Sequence, residues 1–464
     1  MAMDHASVDM RENGGQSQSV EYTPDGCRAD VGKGQKIIPE SGSIVLDTGD
    51  NRGVSIPEGE AVLSEAELGL IYRQTIAGGI VDHHYIDSAI RGRTPEGWQG
   101  KCTTQIVADH ADDILNYIKA NKVTTSVAHY DGDEDSVASS YLTQSLIQKG
   151  RLPIIAHDLA AFVNKVDYGR FEEKDPEKYG NSFAGVFGAI KAYLETARDN
   201  SLGKNVFGNA AMKDPSTNRL NGEGFAKMNE IKADCEKDVV KYTFELLNAC
   251  EEAKKQNPSF DIITDMPAVE KDLSPELQVI LNGEGDQKGG KEMVRDSFTE
   301  FAKDFENAQK ITVKMRNQLT GEEAEFPMVI SLEPKVSPLA FTNMAYRRTP
   351  PETIIAVYGG KDRKGGDMYD VGIAPDSAKL IDMGALVVAL NKAEKVKREM
   401  SSDTELQAKW SAMPDRLGMS GAEQVLTKDP TVLVAGGSLI AASNTSLLTP
   451  EDFLNVMRRF QAGK

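Results

Sequence analysis

Apolar and polar positions alternate along this chain in a way that predicts two kinds of segment. Short β-type runs end in polar clusters. Ser43-Ile44-Val45-Leu46 stops at Asp47-Thr48-Gly49-Asp50, Gly79-Ile80-Val81 stops at Asp82-His83-His84, and Val123 to Ala128 stops at His129. Helical patterns lie between and after them. One falls near 63–75, one over 104–120 with Ile106, Val107, Ile114, Leu115 and Ile118 on one face, and one from about 136 to 148 closed by Gly150. Such alternation predicts an α/β fold, a parallel sheet with helices on both faces. In a sheet of that kind the C-terminal strand ends share one edge, where ligands bind. The three polar clusters are therefore expected to converge despite their separation in sequence.

Outside that region the pattern changes. Residues 1–40 are polar, rich in Gly, Ser and Gln and without periodicity, and read as a disordered segment. Residues 41–200 hold the α/β pattern. Residues 201–320 read as a mainly helical insertion or linker, with long charged helices at 222–256 and 293–317 and a Gly-rich break at 283–290. β-type runs return at 326–332 and 353–358, with Gly359-Gly360 and Gly365-Gly366 suggesting a hairpin loop. A helix over 379–398, a strand at Val432-Leu433-Val434 and a last helix capped near Thr449-Pro450-Glu451 complete a smaller C-terminal α/β domain, 321–464.

Charge narrows the classes of partner. The 53 Lys and Arg against 71 Asp and Glu give a net charge of −18, which repels polyanions and argues against binding long nucleic acid. Small phosphorylated substrates stay admissible, because bound divalent ions reverse the local field. Four cysteines without a CxxC pair suit a reduced compartment. No apolar run approaches the ~18 residues of a membrane span, and the start lacks a basic-then-apolar signal pattern. The expectation is a cytoplasmic protein with no membrane partner.

Candidate chemistry concentrates in one window. Five of the six histidines fall between residues 83 and 157, among aspartates at spacings that read as a two-metal site. After its strand, His129 is followed by Asp133, Asp135 and a helix expected to start at Ser136, whose free N–H groups would suit an anion beside cations. An acidic turn with N-capping Asp and Ser explains the same residues. A calcium loop does not, since its sixth and twelfth positions would be Ser136 and Leu142 rather than Gly and Glu. Asp47 is either a turn residue or the carboxylate that bridges two cations, and Asp167 either a helix-terminal residue or a ligand. His157-Asp158 reads as a helix opening with Asp158 as cap, and His110 as a packed helix residue. Neither GxxxxGK[ST] nor GxSxG is present.

At these residues the chain resembles the DHH phosphoesterase superfamily. His129, Asp133, Asp135 and Ser136 match its HxxxDxDS signature. Leu46-Asp47-Thr48-Gly49-Asp50 resembles the strand ending in Asp, Asp82-His83-His84 is the name-giving triplet, and Asp167 in Asp-Tyr-Gly-Arg-Phe resembles the fourth element. The order is permuted, with the HxxxDxDS signature third instead of first, as in a circularly permuted branch of the superfamily. Cys102-Thr103-Thr104 fits the CxT element of that branch. Ala435-Gly436-Gly437-Ser438 through Thr445-Ser446-Leu447-Leu448-Thr449-Pro450 resembles its C-terminal element, while the GGGH signature of the usual substrate domain is absent.

The resemblance implies a DHH-type catalytic domain over 41–200 and two divalent ions, Mn(II), as cofactors. His129 and Asp133 would hold one ion, Asp135, His83 and Asp167 the other, with Asp47 between them. His84 and Asp82 would be the catalytic residues, His84 touching phosphate and Asp82 orienting a histidine, and His84, Ser136 and Arg170 would bind substrate. From charge and loop position alone, Arg347, Arg348, Lys361 and Arg363 are cationic candidates of the C-terminal domain, with a solvated basic loop as the competing reading. The implied activity is hydrolysis of a phosphoester or phosphoanhydride in pyrophosphate, polyphosphate, a nucleotide or a very short oligonucleotide, by a chain free to form a homodimer. The competing class is a non-catalytic nucleotide- or metal-binding module on the same fold.

Overall fold

The computed structural model describes residues 19–23, 26–30, 42–47, 61–83, 86, 90, 93–95, 98, 100–129, 132–168, 170, 171, 173, 175–215, 220–317, 320–336, 338–350, 352–361, 367–373, 381, 382, 384–400, 432–435 and 448–462. His84, Thr48 to Asp50, Arg363, the Gly365-Gly366 loop and residues 436–447 lie outside them. The described chain is a mixed α/β protein of two compact units, one within Gln16–Thr299 and one within Glu300–Lys464.

The first unit contains β1 (Ser19–Thr23), β2 (Gly26–Asp30), β3 (Ser43–Leu46), α1 (Glu65–Ala77), β4 (Ile80–Val81), α2 (Thr103–Asp109), α3 (Ala111–Asn121), β5 (Thr125–His129), α4 (Glu134–Lys149), α5 (Ala156–Asp167), α6 (Phe183–Leu202) and α7 (Gly222–Gln256). Its sheet has the order β2-β1-β5-β3-β4. β3 pairs in parallel with both β4 and β5, so the polar clusters that follow these strands do share one edge. Ile44, Val45, Leu46, Ile80 and Val81 are all buried, as expected for parallel strands covered on both faces.

Residues 19–30, expected to be disordered, instead form the hairpin β1–β2, which pairs antiparallel with the free edge of β5. The alternation of Val20 and Tyr22 carries that signal, but the featureless stretch before it obscures it. The expected helix over 104–120 is two helices, broken at His110, where φ is −114° and ψ 28°. His110 is buried at that junction, with Nδ1 3.3 Å from Asp113 Oδ2.

α4 passes through the middle of the unit. Every residue from Asp135 to Leu146 is buried, including five Ser and Thr, so this helix has no solvent face over three turns. It begins at Glu134, two residues before the expected start, because Asp133 is its N-cap and accepts the Ser136 N–H at 3.0 Å. α5 likewise begins at Ala156 on an Ile155 cap, and Asp158 pairs with Lys254 at 2.8 Å rather than capping.

The helices of 201–299 are not a separate insertion. α7 lies along the same unit, with Asn248 accepting from Tyr141 Oη at 3.0 Å and Glu251 from the Ile155 N–H at 3.2 Å. α8 (Pro275–Asn282) follows, and the Gly-rich break is a minimal hairpin of β6 (Gly283–Glu284) and β7 (Gln287–Lys288).

α9 (Gly290–Asn307) ends well before the expected 317, and residues 309–316 are a strand. Ile311, Val313 and Met315 alternate there with Lys310, Thr312, Lys314 and Arg316, a period of two rather than 3.6. The second unit comprises β8 (Gln309–Arg316), β9 (Glu323–Ser331), α10 (Pro338–Tyr346), β10 (Ile354–Lys361), β11 (Asp367–Ile373), α11 (Gly384–Glu399), β12 (Val432–Ala435) and α12 (Pro450–Arg458). Its sheet runs β12-β11-β10-β9-β8, with only β9–β10 parallel. On β10, Ile354 and Ala356 pack in one cluster with Leu386, Phe453 and Met457, while Ile355 and Val357 pack in another with Phe301 and Phe341. Both faces are therefore covered. Among the described residues no helix is long and apolar enough to cross a membrane.

Gly150 closes α4 in the left-handed region at φ 65°, with open space where a Cβ would lie. Its replacement costs backbone strain alone. Gly150→Ala is expected to lower stability by about 1 kcal/mol in urea unfolding and to leave metal binding unchanged.

Candidate metal centre

Four chain segments bring acidic and imidazole groups to one place. Asp47 follows β3 and is 1% exposed, with φ 49°, a left-handed conformation that aspartate tolerates better than most residues. Its N–H still donates to the Val81 carbonyl at 3.0 Å, so the sheet ladder fixes the backbone that presents the side chain. Asp82 and His83 follow β4 and are both buried. Asp135 lies in the first turn of α4, and Asp167 is the last residue of α5. A carboxylate at a helix C-terminus opposes the helix dipole, so the position of Asp167 calls for a compensating charge.

His83 Nε2 is the centre of the group. It lies 3.6 Å from Asp47 Oδ1, 3.8 Å from Asp135 Oδ2 and 3.7 Å from Asp167 Oδ2. Donor atoms of Asp47, His83 and Asp135 all fall within 4.8 Å of one another, and this buried cluster could hold a metal ion. Imidazole nitrogen with carboxylate oxygen is a donor set that suits Mn, Fe, Co or Zn.

Neighbouring groups hold these side chains in place. Thr103 and Thr104 donate their backbone N–H groups to the two oxygens of Asp135 at 2.8 and 2.7 Å, so Asp135 caps α2 from outside. The Thr103 hydroxyl donates to Asp47 Oδ1 at 3.1 Å, and Thr104 Oγ1 to the Asp135 carbonyl at 3.0 Å. Asn164 accepts the Cys102 N–H at 2.7 Å and donates to the Gly100 carbonyl, which anchors the start of α2 to α5. Tyr168 Oη is 3.3 Å from His83 Nδ1. With a cation bound and Nδ1–H donating to that oxygen, the Nε2 lone pair would face the site; without one, the protonated ring turns Nε2–H toward the carboxylates. Tyr168 is itself confined, since a Cβ on Gly100 would fall 2.3 Å from its Oη.

Thr103, Asn164 and Tyr168 had no assigned role from sequence. Cys102-Thr103-Thr104 was visible as a motif, but the role of its amides depends on α2 abutting Asp135. Among the residues that were assigned, Asp47, His83, Asp135 and Asp167 are brought together. Asp82 is buried beside them. Asp133 is exposed and caps α4, and the Ser136 N–H it takes up is thereby unavailable to the anion role expected of it. Ser136 Oγ is fully buried. The Arg170 guanidinium lies over the Tyr168 ring at 4.7 Å. The His129 backbone ends β5 opposite Ser19.

Burial, and then the Asp47 carboxylate beside it, push Asp135 up to about 6, with His83 acting in the opposite direction. Burial likewise raises Asp167 well above the usual carboxylate range. Two amide donors do not overcome the loss of water around Asp135.

No family model, no curated protein and no solved structure matches this chain.

Between about pH 4 and pH 6 the folded chain holds a proton on Asp135 that the unfolded chain has released. The stability this gives the metal-free protein is present below that window and lost as pH rises through it, by on the order of 3 kcal/mol. Asp135→Asn is expected to flatten that part of the pH dependence in urea unfolding. Divalent cation affinity of the unaltered protein, measured calorimetrically, should fall as pH drops below about 6.

Proposed function

We propose that this chain is a metal-dependent hydrolase of phosphoester or phosphoanhydride bonds, of the DHH type, acting on a small phosphorylated substrate. One observation carries the reading. His83 Nε2 lies within 3.8 Å of carboxylates from three other segments, Asp47, Asp135 and Asp167, each the position that a different DHH-like signature singles out. The parallel sheet alone brings strand-end clusters together, but it gives no reason for Asp167, at the end of α5, to join them.

The Asp47, His83 and Asp135 donors fit a divalent ion, which supports the implied cofactor. Asp135, His83 and Asp167 would hold one Mn(II), His129 and Asp133 a second, with Asp47 between them. When bound, two such ions acidify an attacking water and offset charge on the phosphoryl oxygens. The chain's own residues do the rest. The Thr103 and Thr104 amides hold the Asp135 carboxylate with Oδ2 3.8 Å from His83 Nε2, and Tyr168 holds the His83 ring at Nδ1. His84 is assigned to the phosphoryl oxygens, Arg170 to the charge of the substrate's remainder, and Asp82 to orienting a histidine. The net charge of −18 favours pyrophosphate, short polyphosphate, a nucleotide or a very short oligonucleotide over long strands.

Asp47→Asn tests this cleanly. Asparagine has the same shape and accepts a positive φ, so the fold is retained while one negative donor is lost. Metal-stripped protein reloaded with Mn(II) is expected to release phosphate or nucleotide from one member of a panel of pyrophosphate, short polyphosphate, a dinucleotide, a cyclic dinucleotide and a bis-phosphorylated nucleotide. Asp47→Asn should lower that turnover roughly 100-fold or more. Full activity in the variant would contradict the assignment. Bound metal without turnover of any compound would favour the non-catalytic binding module instead.

A further inference from the structure

Gly132 lies in the loop between β5 and α4, three residues after His129 and one before Asp133. Both sides of this residue are held by charged side chains from distant helices. Its N–H donates to Glu236 Oε1 at 3.2 Å, and its carbonyl accepts from Lys191 Nζ at 3.2 Å. Glu236 comes from α7 and Lys191 from α6. Glu236 is only 5% exposed. A carboxylate buried to that degree is costly unless hydrogen bonds and positive charge compensate it. There is little slack around the loop. A Cβ on Gly132 would sit 3.2 Å from Ser136 Oγ, 3.2 Å from Val137 Cγ2 and 3.5 Å from Glu236 Oε1.

We propose that Glu236 and Lys191 are positioning residues, a two-sided clamp on Gly132 that sets where α4 begins and so where Asp133 and Asp135 lie. Two of the six residues assigned to the metal centre, Asp133 and Asp135, follow Gly132 directly. The consequence for metal binding rests on the proposed function, whereas the clamp itself does not. α7 is anchored elsewhere along its length, through Asn248 to Tyr141 and Glu251 to Ile155. Removing Glu236 therefore loosens the loop without detaching the helix. Lys191 is 21% exposed, so its removal leaves only a small gap.

The test uses the full chain with Glu236→Ala, Glu236→Gln and Lys191→Met. Hydrogen exchange of the peptide spanning Gly132 is followed by mass spectrometry in metal-free protein, and Mn(II) affinity by calorimetry. Glu236→Ala and Lys191→Met are expected to speed exchange of that peptide roughly tenfold and to weaken Mn(II) binding by roughly 10- to 100-fold, with exchange elsewhere in α7 unchanged. Glu236→Gln, whose side-chain carbonyl still accepts the Gly132 N–H, should retain most of both properties. Unaltered loop exchange in Glu236→Ala and Lys191→Met would overturn the clamp, as would a Gln variant as impaired as the Ala variant. Should Glu236→Ala fail to fold, Lys191→Met carries the same decision. Unaltered protein that binds no Mn(II) would refute the proposed function, and loop exchange alone would then decide the clamp.

Discussion

A buried imidazole surrounded by three carboxylates is unfavourable until positive charge joins it. His83 Nε2 lies less than 4 Å from Asp47, Asp135 and Asp167, and two of these carboxyls are almost wholly out of water. Burial denies them the solvent that would disperse their charge, and mutual repulsion adds to it. Protons relieve the strain in part, which is why Asp135 and Asp167 are raised. A cation relieves it more completely. Much of the first unit can be understood as machinery for keeping these groups together against their repulsion.

That machinery is mostly backbone. The parallel pairing of β3 with β4 and β5 sets three strand ends side by side, and the ladder continues one residue further, into Asp47. α2 offers its first amides to Asp135, and the end of α5 contributes both Asp167 and the Asn164 that pins α2. α4 carries Asp135 on a helix with no solvent face near its start, so the carboxylate cannot swing out to water. Tyr168, one residue past Asp167, reaches back to His83. Donors and supports thus come from the same short segments.

The parts legible in the sequence were those governed by local pattern. Three short apolar runs ending in acidic or histidine clusters were enough to place β3, β4 and β5 and to expect Asp47, His83 and Asp135 on one edge. The closing glycine of α4 was equally plain. What escaped depends on partners far along the chain. Asp133 as a capping residue was one of two readings the sequence allowed, and the Ser136 N–H it accepts shows that role in the fold. β8 was merged with α9 because a charged helix runs into a charged strand, and the change of period spans only eight residues. The hairpin at 19–30 is stabilised by the edge of β5, a hundred residues away. Thr103, Tyr168 and Glu236 are ordinary residues in ordinary helical or turn contexts. Nothing local distinguishes them until α2, α5 and α7 are packed around the strand ends.

The most direct test is anomalous diffraction from crystals of the full chain grown with Mn(II). The account predicts an anomalous peak at about 2.2 Å from His83 Nε2 and from carboxylate oxygens of Asp135 and Asp167, with Asp47 facing a second peak. Manganese bound elsewhere, with His83 and the three carboxylates left as they stand in the metal-free fold, would contradict it.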